Sequence, residues 1–344
     1  MTTSRERMIR SLCHQPIDRA PRDLWVAPRV ERDLADDVAE IRYRFPPDVE
    51  QPDSKPTHGD RSTGRPGELG VWTDAWGCAG KVDQPGSEGL AIGPPLADAT
   101  RIATYQPPLD LLDPTRIPRV NRACAMTSRF VLAPTETHGL ARVLLLLGRE
   151  AARSELAHGT ACMRGLIARL HDFSCREMEM WAASDVDGVA LAEDLGWDVG
   201  PPRPAEVWRE IFRPLVREYC AILRRADKFI FFHGGGNVAE ILPDLVELGV
   251  DAVGCELARL NPERLAAEFR GKITFWGELG DEDLSGRSEG VRAAVTRVRA
   301  ALDFGRGGVI AHCHWTPGVP LKNIATVFDQ WMQPLAMRAK TAAG

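Results

Sequence analysis

The sequence lacks any run of about eighteen apolar residues, the length that a membrane-crossing helix needs. It has no basic block, and its formal net charge of −5 disfavours nucleic acids and anionic membrane surfaces as partners. The first ten residues are polar and arginine-rich, without the apolar segment of a secretory signal. None of the eight cysteines forms a Cys-x-x-Cys pair. We therefore expect a cytoplasmic protein that acts on a small-molecule substrate, with most of its thiols buried.

From about residue 129 onwards, strand-like and helical segments alternate. Short apolar runs predict buried strands, and a stretch with helical periodicity follows each of them. At least seven such runs predict a parallel sheet, and favour a closed (β/α)8 TIM barrel, an α/β fold, over an open sheet. Prolines punctuate residues 40–118, which we interpret as an N-terminal insertion or cap. The prediction is thus one barrel domain over residues 1–344 that carries this cap.

The stretch Phe229-Ile-Phe-Phe-His233-Gly-Gly-Gly-Asn237 joins a predicted strand to a predicted helix. The glycines allow a sharp turn, and Asn237 is a good N-cap for a helix that continues to Gly249. His233 is therefore predicted to lie where a strand ends, which is where α/β folds bind their ligands. The alternative interpretation is a core histidine that only satisfies a hydrogen bond.

Reactive side chains follow the other predicted strands in the same way. They are Glu193 and Asp194, Cys255 and Glu256, Glu278, and the run His312-Cys313-His314. Because the carboxyl ends of barrel strands meet at one rim, an imidazole, carboxylates and a thiol are expected to gather there. Zinc binds these ligand types, and we predict His233, Glu256 and Cys313 as its ligands. The alternative is that Glu256 pairs with an arginine and Cys313 packs in the core.

Short motifs with a common family character are spread along the whole chain. They are Ser4–Arg7 with Pro16–Pro21, Thr73–Gly77, Ala192–Gly196, His233–Val238, Leu248–Asp251, Phe275–Gly277 and Val319–Ile324. Together they resemble the uroporphyrinogen decarboxylase superfamily, in particular its methyltransferase-like branch. The resemblance implies a (β/α)8 barrel, in agreement with the pattern of strands and helices.

The sequence departs from true uroporphyrinogen decarboxylases at two places. Leu24–Pro28 stands where they carry an Arg-Gln-Ala-Gly-Arg-Tyr segment that handles porphyrinogen carboxylates, and Cys313 stands where they have a histidine. Both departures disfavour tetrapyrrole decarboxylation. His233 and Cys313 match the His and the later Cys of the zinc-dependent corrinoid methyltransferases, whereas Gly235 occupies the position of their first Cys. Glu256 matches the Glu ligand of cobalamin-independent methionine synthase.

The resemblance implies a zinc-dependent methyltransferase that moves a methyl group between a small methylated or thiol substrate and a corrinoid. The sequence has no Asp-x-His-x-x-Gly signature of a corrinoid domain, so the corrinoid is expected on a partner protein or free in solution. Glu193, Asp194 and Glu278 are candidates for the acid that protonates the leaving group or for substrate binding. Helix capping or arginine pairing is the alternative role of these carboxylates.

Further candidates surround the predicted site. We assign substrate binding to Trp76, His138, Trp276 and His312, with a packing role as the alternative for Trp76 in its predicted hairpin. His312 and His314 flank Cys313 and are expected to point to opposite sides of an extended strand, so that at most one of them joins the side of Cys313. The sequence leaves the oligomeric state open, with a homodimer as one candidate.

Two other functions stay open at this point. A metal-independent decarboxylase or lyase that acts on a non-porphyrin acid would use arginines such as Arg22 or Arg29. A non-catalytic relative that binds a small molecule or a partner is the third hypothesis, and Gly235 is its main support.

Overall fold

The computed structural model describes residues 2–53, 61–65, 68–83, 90–194, 204–235 and 238–333. The chain divides into two compact units, one of Met1–Val49 with Glu256–Gly344 and the other of Glu50–Cys255. The prediction of a single domain with a cap over 40–118 stays a prediction.

The strands and helices of the described residues follow one another in a regular alternation after the N-terminal third. The strands are β1 (Arg22–Val26), β2 (Val49–Glu50), β3 (Gly70–Thr73), β4 (Ala79–Val82), β5 (Leu90–Gly93), β6 (Phe130–Thr137), β7 (Gly188–Asp194), β8 (Phe229–Gly235), β9 (Ala252–Glu256), β10 (Thr274–Glu278) and β11 (Val309–Trp315). The α-helices are α1 (Ser4–Leu12), α2 (Pro28–Asp33), α3 (Ala35–Arg44), α4 (Ile117–Met126), α5 (Gly139–Leu147), α6 (Arg149–His158), α7 (Ala161–Ala182), α8 (Pro204–Val207), α9 (Arg213–Arg225), α10 (Leu242–Glu247), α11 (Pro262–Phe269), α12 (Asp281–Ser285), α13 (Ser288–Leu302) and α14 (Leu321–Met332).

Eight of these strands form one sheet in the order β1-β11-β10-β9-β8-β7-β6-β2. The pairs β1/β11, β10/β11, β6/β7, β7/β8 and β8/β9 are parallel. Parallel neighbours need crossover connections, and helices supply them between successive strands. The predicted (β/α)8 barrel is confirmed.

A separate three-stranded sheet has the order β3-β4-β5, and its strands are antiparallel. This sheet contains the predicted hairpin, since Gly70 pairs with Val82 and Thr73 with Ala79. Gly80 carries no side chain at a position where a Cβ would collide with the indole ring of Trp72. The strand pairing confirms the hairpin prediction, and the Trp72 ring lies against Gly80 of the neighbouring strand.

Prolines changed two of the predicted helices. The helical segment after residue 204 contains a π-helical turn at Trp208–Phe212, two residues before Pro214 near the start of α9. Proline lacks the N–H and its ring displaces the carbonyl four residues earlier, so the helix widens there. The continuous helix expected after His233 was wrong. A short 3₁₀ turn at Val238–Glu240 precedes α10, because Pro243 fits only a new first turn.

Candidate functional site

The C-terminal half of β6 opens towards solvent in the Glu50–Cys255 unit. Its first four residues are buried and its last four are half-buried. The pairing with β7 shifts between Pro134 and Thr137, and the Thr135 hydroxyl donates to Ala190 O (2.8 Å) and accepts from Ala192 N (3.3 Å). Irregularities of this kind are frequent beside active sites because they redirect side chains. The register shift lets the strand continue past Pro134 to Thr137.

Glu136, near the end of β6, forms a polar cluster with two side chains from other elements. Its Oε2 accepts from Trp76 Nε1 (2.8 Å) and from Arg142 Nη2 (3.3 Å). The Arg142 guanidinium also lies 3.9 Å from the centre of the Trp76 ring, which is a cation–π contact. Arg142 is buried, whereas 37% of the Glu136 side chain is exposed. A carboxylate is therefore held at the strand end by a buried cation and an indole.

His138 and Glu177 form a buried pair just beyond the end of β6. His138 Nε2 lies 3.3 Å from Glu177 Oε2, and His138 Nδ1 lies 2.9 Å from Ser174 Oγ. Ser174 donates its own proton to Leu170 O (3.0 Å), so Nδ1 carries the imidazole proton and Nε2 is an acceptor. The second Glu177 oxygen accepts from the backbone N–H of Glu136 (3.0 Å).

Burial sets the protonation of this pair. Burial, helped by the charge of Arg142, lowers the pKa of His138 to about 3. Burial, helped by the charge of Glu136, raises the pKa of Glu177 to about 8. At neutral pH the imidazole is therefore neutral and Glu177 holds a proton. Such an acid next to a half-exposed strand end has the protonation state that general acid catalysis requires.

Glu193, at the end of β7, caps helix α5. Its two oxygens accept from the backbone N–H groups of Ala141 (2.7 Å) and Leu140 (3.2 Å). A carboxylate is favoured there by the orphan N–H groups and the positive end of the helix dipole. This contact agrees with the capping alternative for Glu193, and its role as a catalytic acid stays a prediction.

Gly139 makes this capping contact possible. Its φ is +52°, and a Cβ at this residue would collide with Glu193 Oε2. We expect Gly139→Ala to lower the free energy of unfolding by about 1–3 kcal/mol, because the substitution adds backbone strain and displaces the cap. Gly290→Ala in α13 is the matched control, since it has open space and a normal φ, and it should be neutral or stabilising. Urea unfolding of both variants measures the difference, and equal midpoints would refute the role of Gly139.

A second cluster, in the unit of Met1–Val49 and Glu256–Gly344, is centred on Asp23. Asp23 Oδ2 accepts from Trp276 Nε1 (2.9 Å) and lies 3.0 Å from His312 Nδ1. The Trp25 ring makes edge contacts with both Trp276 and His312, each with centroids 5.0 Å apart. The structure thus brings the predicted substrate-binding residues Trp276 and His312 together, with Asp23 as a partner that sequence reasoning missed.

Cys313 lies on the other face of β11. Trp25 also contacts the His314 ring at 6.2 Å, so His312 and His314 share one face of the strand. Successive strand residues point to opposite faces, and the buried Cys313 therefore points away from both histidines. The expectation that the two histidines point to opposite sides is therefore wrong, because alternation places residues two apart on the same face, and neither histidine joins the side of Cys313.

Glu256, at the end of β9, pairs with an arginine. Its Oε2 lies 2.7 Å from Arg259 Nε, and Arg259 Nη2 also contacts Glu282 (2.9 Å). Gly280 leaves room for this carboxylate, because a Cβ there would lie 2.8 Å from Glu256 Oε2. The structure therefore agrees with the alternative interpretation, in which Glu256 pairs with an arginine.

His233 lies within β8, paired in register with Ala192 of β7 and Gly254 of β9. It is half-buried, as a residue near the end of a barrel strand should be. Among the described residues, one group of three His, Cys, Asp or Glu side chains has ligand atoms close enough to share an ion, and its members are His171, Cys175 and Glu218. The predicted zinc ligands His233, Glu256 and Cys313 are not that group, and their role stays a prediction.

The remaining predicted residues have simpler outcomes. Trp76 is buried against Phe173, with ring centroids 4.7 Å apart, as its packing alternative requires. Arg29 is paired with Asp33 at 3.0 Å, and burial lowers the pKa of Arg22 to about 10. The side chains of Asp194 and Glu278, and the whole of Asn237, lie outside the described residues. Within the described ranges, no helix has the length and apolar character needed to cross a bilayer.

A family model for uroporphyrinogen decarboxylase (URO-D) matches residues 71–332, well over half of the chain. The chain belongs to the uroporphyrinogen decarboxylase family. This family character confirms the resemblance of the sequence motifs. The chain matches none of the curated protein sequences with which it was compared.

Solved structures share the fold of this URO-D family member at low sequence identity. A methyltransferase from Methanosarcina mazei aligns with 96% of this chain and 98% of its own, at 15% identity and a TM-score of 0.67. A putative vitamin-B12 independent methionine synthase from Listeria monocytogenes aligns with 92% of this chain and 97% of its own, at 11% identity and a TM-score of 0.45. The first of these shows that the barrel fold is common to both chains over nearly their whole lengths.

The sequence did not predict Glu136, Arg142 or Glu177 as residues of the group at the end of β6 in this URO-D family member. For Arg142 and Glu177, however, the sequence contained a signal. The buried positions of α7 include Leu170, Phe173, Glu177 and Trp181, which follow helical spacing. Glu177 is thus a carboxylate within an apolar stripe, and Arg142 is likewise a cation within the apolar helix α5. A charged residue on a buried face needs a partner, which is the signal that marks both residues.

Proposed function

We propose that this protein is a methyltransferase that moves a methyl group between a small substrate and a corrinoid carried by a partner protein or free in solution. Membership of the uroporphyrinogen decarboxylase family and the fold shared with the Methanosarcina mazei methyltransferase support the reaction class. The departures from true uroporphyrinogen decarboxylases at Leu24–Pro28 and Cys313 support a substrate other than a porphyrinogen.

The observation that carries the proposal is the acid–base group at the end of β6. When a methyl group leaves an oxygen or nitrogen atom of a substrate, that atom must gain a proton. Glu177 holds a proton at neutral pH, because its pKa is raised to about 8, and His138 Nε2 lies beside it as an acceptor. We assign the half-exposed Glu136 and the buried Arg142 to orient the polar group of the substrate. A corrinoid, when bound, supplies the atom that accepts or donates the methyl group.

For zinc, the chemistry of the predicted donors and their geometry point in different directions. An imidazole, a carboxylate and a thiolate are ligands that zinc prefers, so His233, Glu256 and Cys313 fit chemically. They are not the ligand group found among the described residues, and Glu256 is paired with Arg259. The proposed reaction therefore includes no step at a zinc ion. Metal analysis of purified wild type and of His233→Ala tests this prediction: equal zinc contents would exclude His233 as a ligand.

The reaction is tested with the full-length protein, methylcobalamin or reduced cobalamin, and a panel of methylated amines, ethers and thiols. We expect a change in the cobalamin spectrum that depends on the protein. Glu177→Gln should lower the rate by about 100-fold or more, the usual contribution of a general acid. Glu179→Gln, an exposed carboxylate two residues further along α7, should leave the rate unchanged.

The alternative of a carboxy-lyase predicts a different product. Release of carbon dioxide from a small carboxylic acid, without any change in the cobalamin spectrum, would replace the methyltransferase proposal. In that case Arg22→Gln should abolish activity, whereas Arg29→Gln should have less effect, because Arg29 is already paired with Asp33.

A further inference from the structure

Helices α7 and α9 bring together three side chains of metal-binding type, none of which the sequence predicted as a ligand. His171 and Cys175 are four residues apart on α7, and so lie on the same face of the helix. Glu218 projects from α9. One ligand atom from each of the three side chains lies within 4.8 Å of the other two.

Two distances within this group are close to those of a tetrahedral metal site. His171 Nε2 lies 3.0 Å from Glu218 Oε2, and Cys175 Sγ lies 3.7 Å from both His171 nitrogens. A tetrahedral zinc ion holds its nitrogen and oxygen ligands about 3.3 Å apart and its nitrogen and sulfur ligands about 3.5 Å apart. The Glu218 carboxylate can adjust to an ion, because 60% of its side chain is exposed.

Tyr219 orients the imidazole of this group. Its hydroxyl lies 3.1 Å from His171 Nδ1, which leaves Nε2 facing Glu218. Histidine ligands of metals commonly use their second nitrogen in this way, and the outer partner fixes the tautomer. Tyr219 is itself buried, and its ring packs 5.7 Å from that of His138. The group thus has an outer partner that is rigidly held.

We propose that His171, Cys175 and Glu218 form a zinc-binding site on the α7–α9 helix pair. Nitrogen, sulfur and oxygen donors together select zinc over magnesium or calcium, which prefer oxygen ligands alone. Three protein ligands leave a fourth position for water or for a ligand from another molecule. With two ligands on α7 and one on α9, a bound ion would link these two helices.

The proposal is tested by titrating the chelator-treated full chain with Zn²⁺ and with Co²⁺. We expect Co²⁺ to give the absorption bands of a tetrahedral thiolate complex, and Zn²⁺ to displace it. Cys175→Ser should remove the thiolate band and weaken Zn²⁺ binding at this site by tenfold or more. Tyr219→Phe keeps the buried ring but loses the hydroxyl, and should weaken binding by about 10–100-fold.

Two control variants separate this site from other thiols. Cys162→Ser replaces an exposed cysteine on the same helix α7 and should leave the Co²⁺ spectrum unchanged. Cys313→Ser tests whether the thiolate band comes from the ligand set predicted from the sequence. Absence of a thiolate band in the wild type, or a band that survives Cys175→Ser, would refute the site. Thermal unfolding with and without Zn²⁺ gives a second readout, since only the native state should gain stability.

Discussion

Replacing Asp48 with asparagine is expected to lower the free energy of unfolding by about 3–5 kcal/mol, the cost of breaking a buried ion pair on one side. The Asp48 side chain is fully buried and lies 2.7 Å from Arg7 Nη1 and 2.6 Å from Arg19 Nη1. It also accepts from the backbone N–H of Arg22 at 2.8 Å. An asparagine would turn an NH₂ group towards these donors and leave the buried Arg7 without this counter-charge.

The charge of Asp48 is maintained although burial alone would oppose it. Burial raises the pKa of Asp48, but the hydrogen bonds and charge of Arg19 and the N–H of Arg22 outweigh it, so the pKa lies below its usual value. A lowered native pKa means that this contribution is complete above the unfolded pKa and is lost as the pH falls through the native pKa. Acid should therefore reduce the stability difference between the wild type and Asp48→Asn.

Asp33→Asn is the matched control for Asp48→Asn. Asp33 also contacts two arginines, Arg29 and Arg32 at 3.0 Å each, but 45% of its side chain is exposed. Its replacement should cost far less stability than that of Asp48, because solvent screens exposed ion pairs. Guanidinium unfolding followed by circular dichroism measures both variants. If Asp48→Asn does not accumulate as folded protein, Asp18→Asn removes the other, half-exposed carboxylate of Arg7 and should give an intermediate loss. Equal effects at Asp48 and Asp33 would contradict the argument.

Glu177→Gln is expected to flatten the pH dependence of stability between about pH 6.5 and 8. The native pKa of Glu177 is raised to about 8 from an ordinary value of 4.5, so its contribution to stability is complete below pH 4.5 and is lost as the pH rises through 8. His138 acts in the opposite direction, because its native pKa is lowered to about 3, and it ceases to contribute a slope above about pH 6.5. Above pH 6.5, Glu177 is the only residue of the pair whose titration makes the free energy of unfolding change with pH.

The size of the effect follows from proton linkage. One proton released on unfolding gives at most about 1.4 kcal/mol per pH unit, or about 2 kcal/mol between pH 6.5 and 8. The wild type should lose this stability as the pH rises, and Glu177→Gln should not. The exposed Glu179→Gln variant should behave like the wild type. The measurement is the urea midpoint of each protein at several pH values. If the midpoints of all three proteins change with pH in the same way, Glu177 is already ionised at neutral pH.

The sequence predicted some site residues and not others, because local patterns can be read from a sequence whereas contacts between distant residues cannot. His233 was placed near the end of a strand because an apolar run followed by glycines is a local pattern, and β8 does end at Gly235. The contact between Glu193 and the N–H groups of α5 joins residues more than fifty positions apart. The local pattern of apolar and polar residues contains no information about a contact over that distance in sequence. The residues around Asp48 read as a proline-rich loop, yet they hold a fully buried carboxylate.

The sequence by itself determined the fold class and the family of this protein, because strand and helix periodicity and short motifs are local properties that survive without contacts. Tertiary structure alone decided which charges are buried together. It paired Glu177 with His138, brought Asp23 to Trp276, and placed Asp48 against Arg7. These partners depend on how strands and helices from distant parts of the chain approach one another, and on the burial that follows, which no single segment of sequence contains.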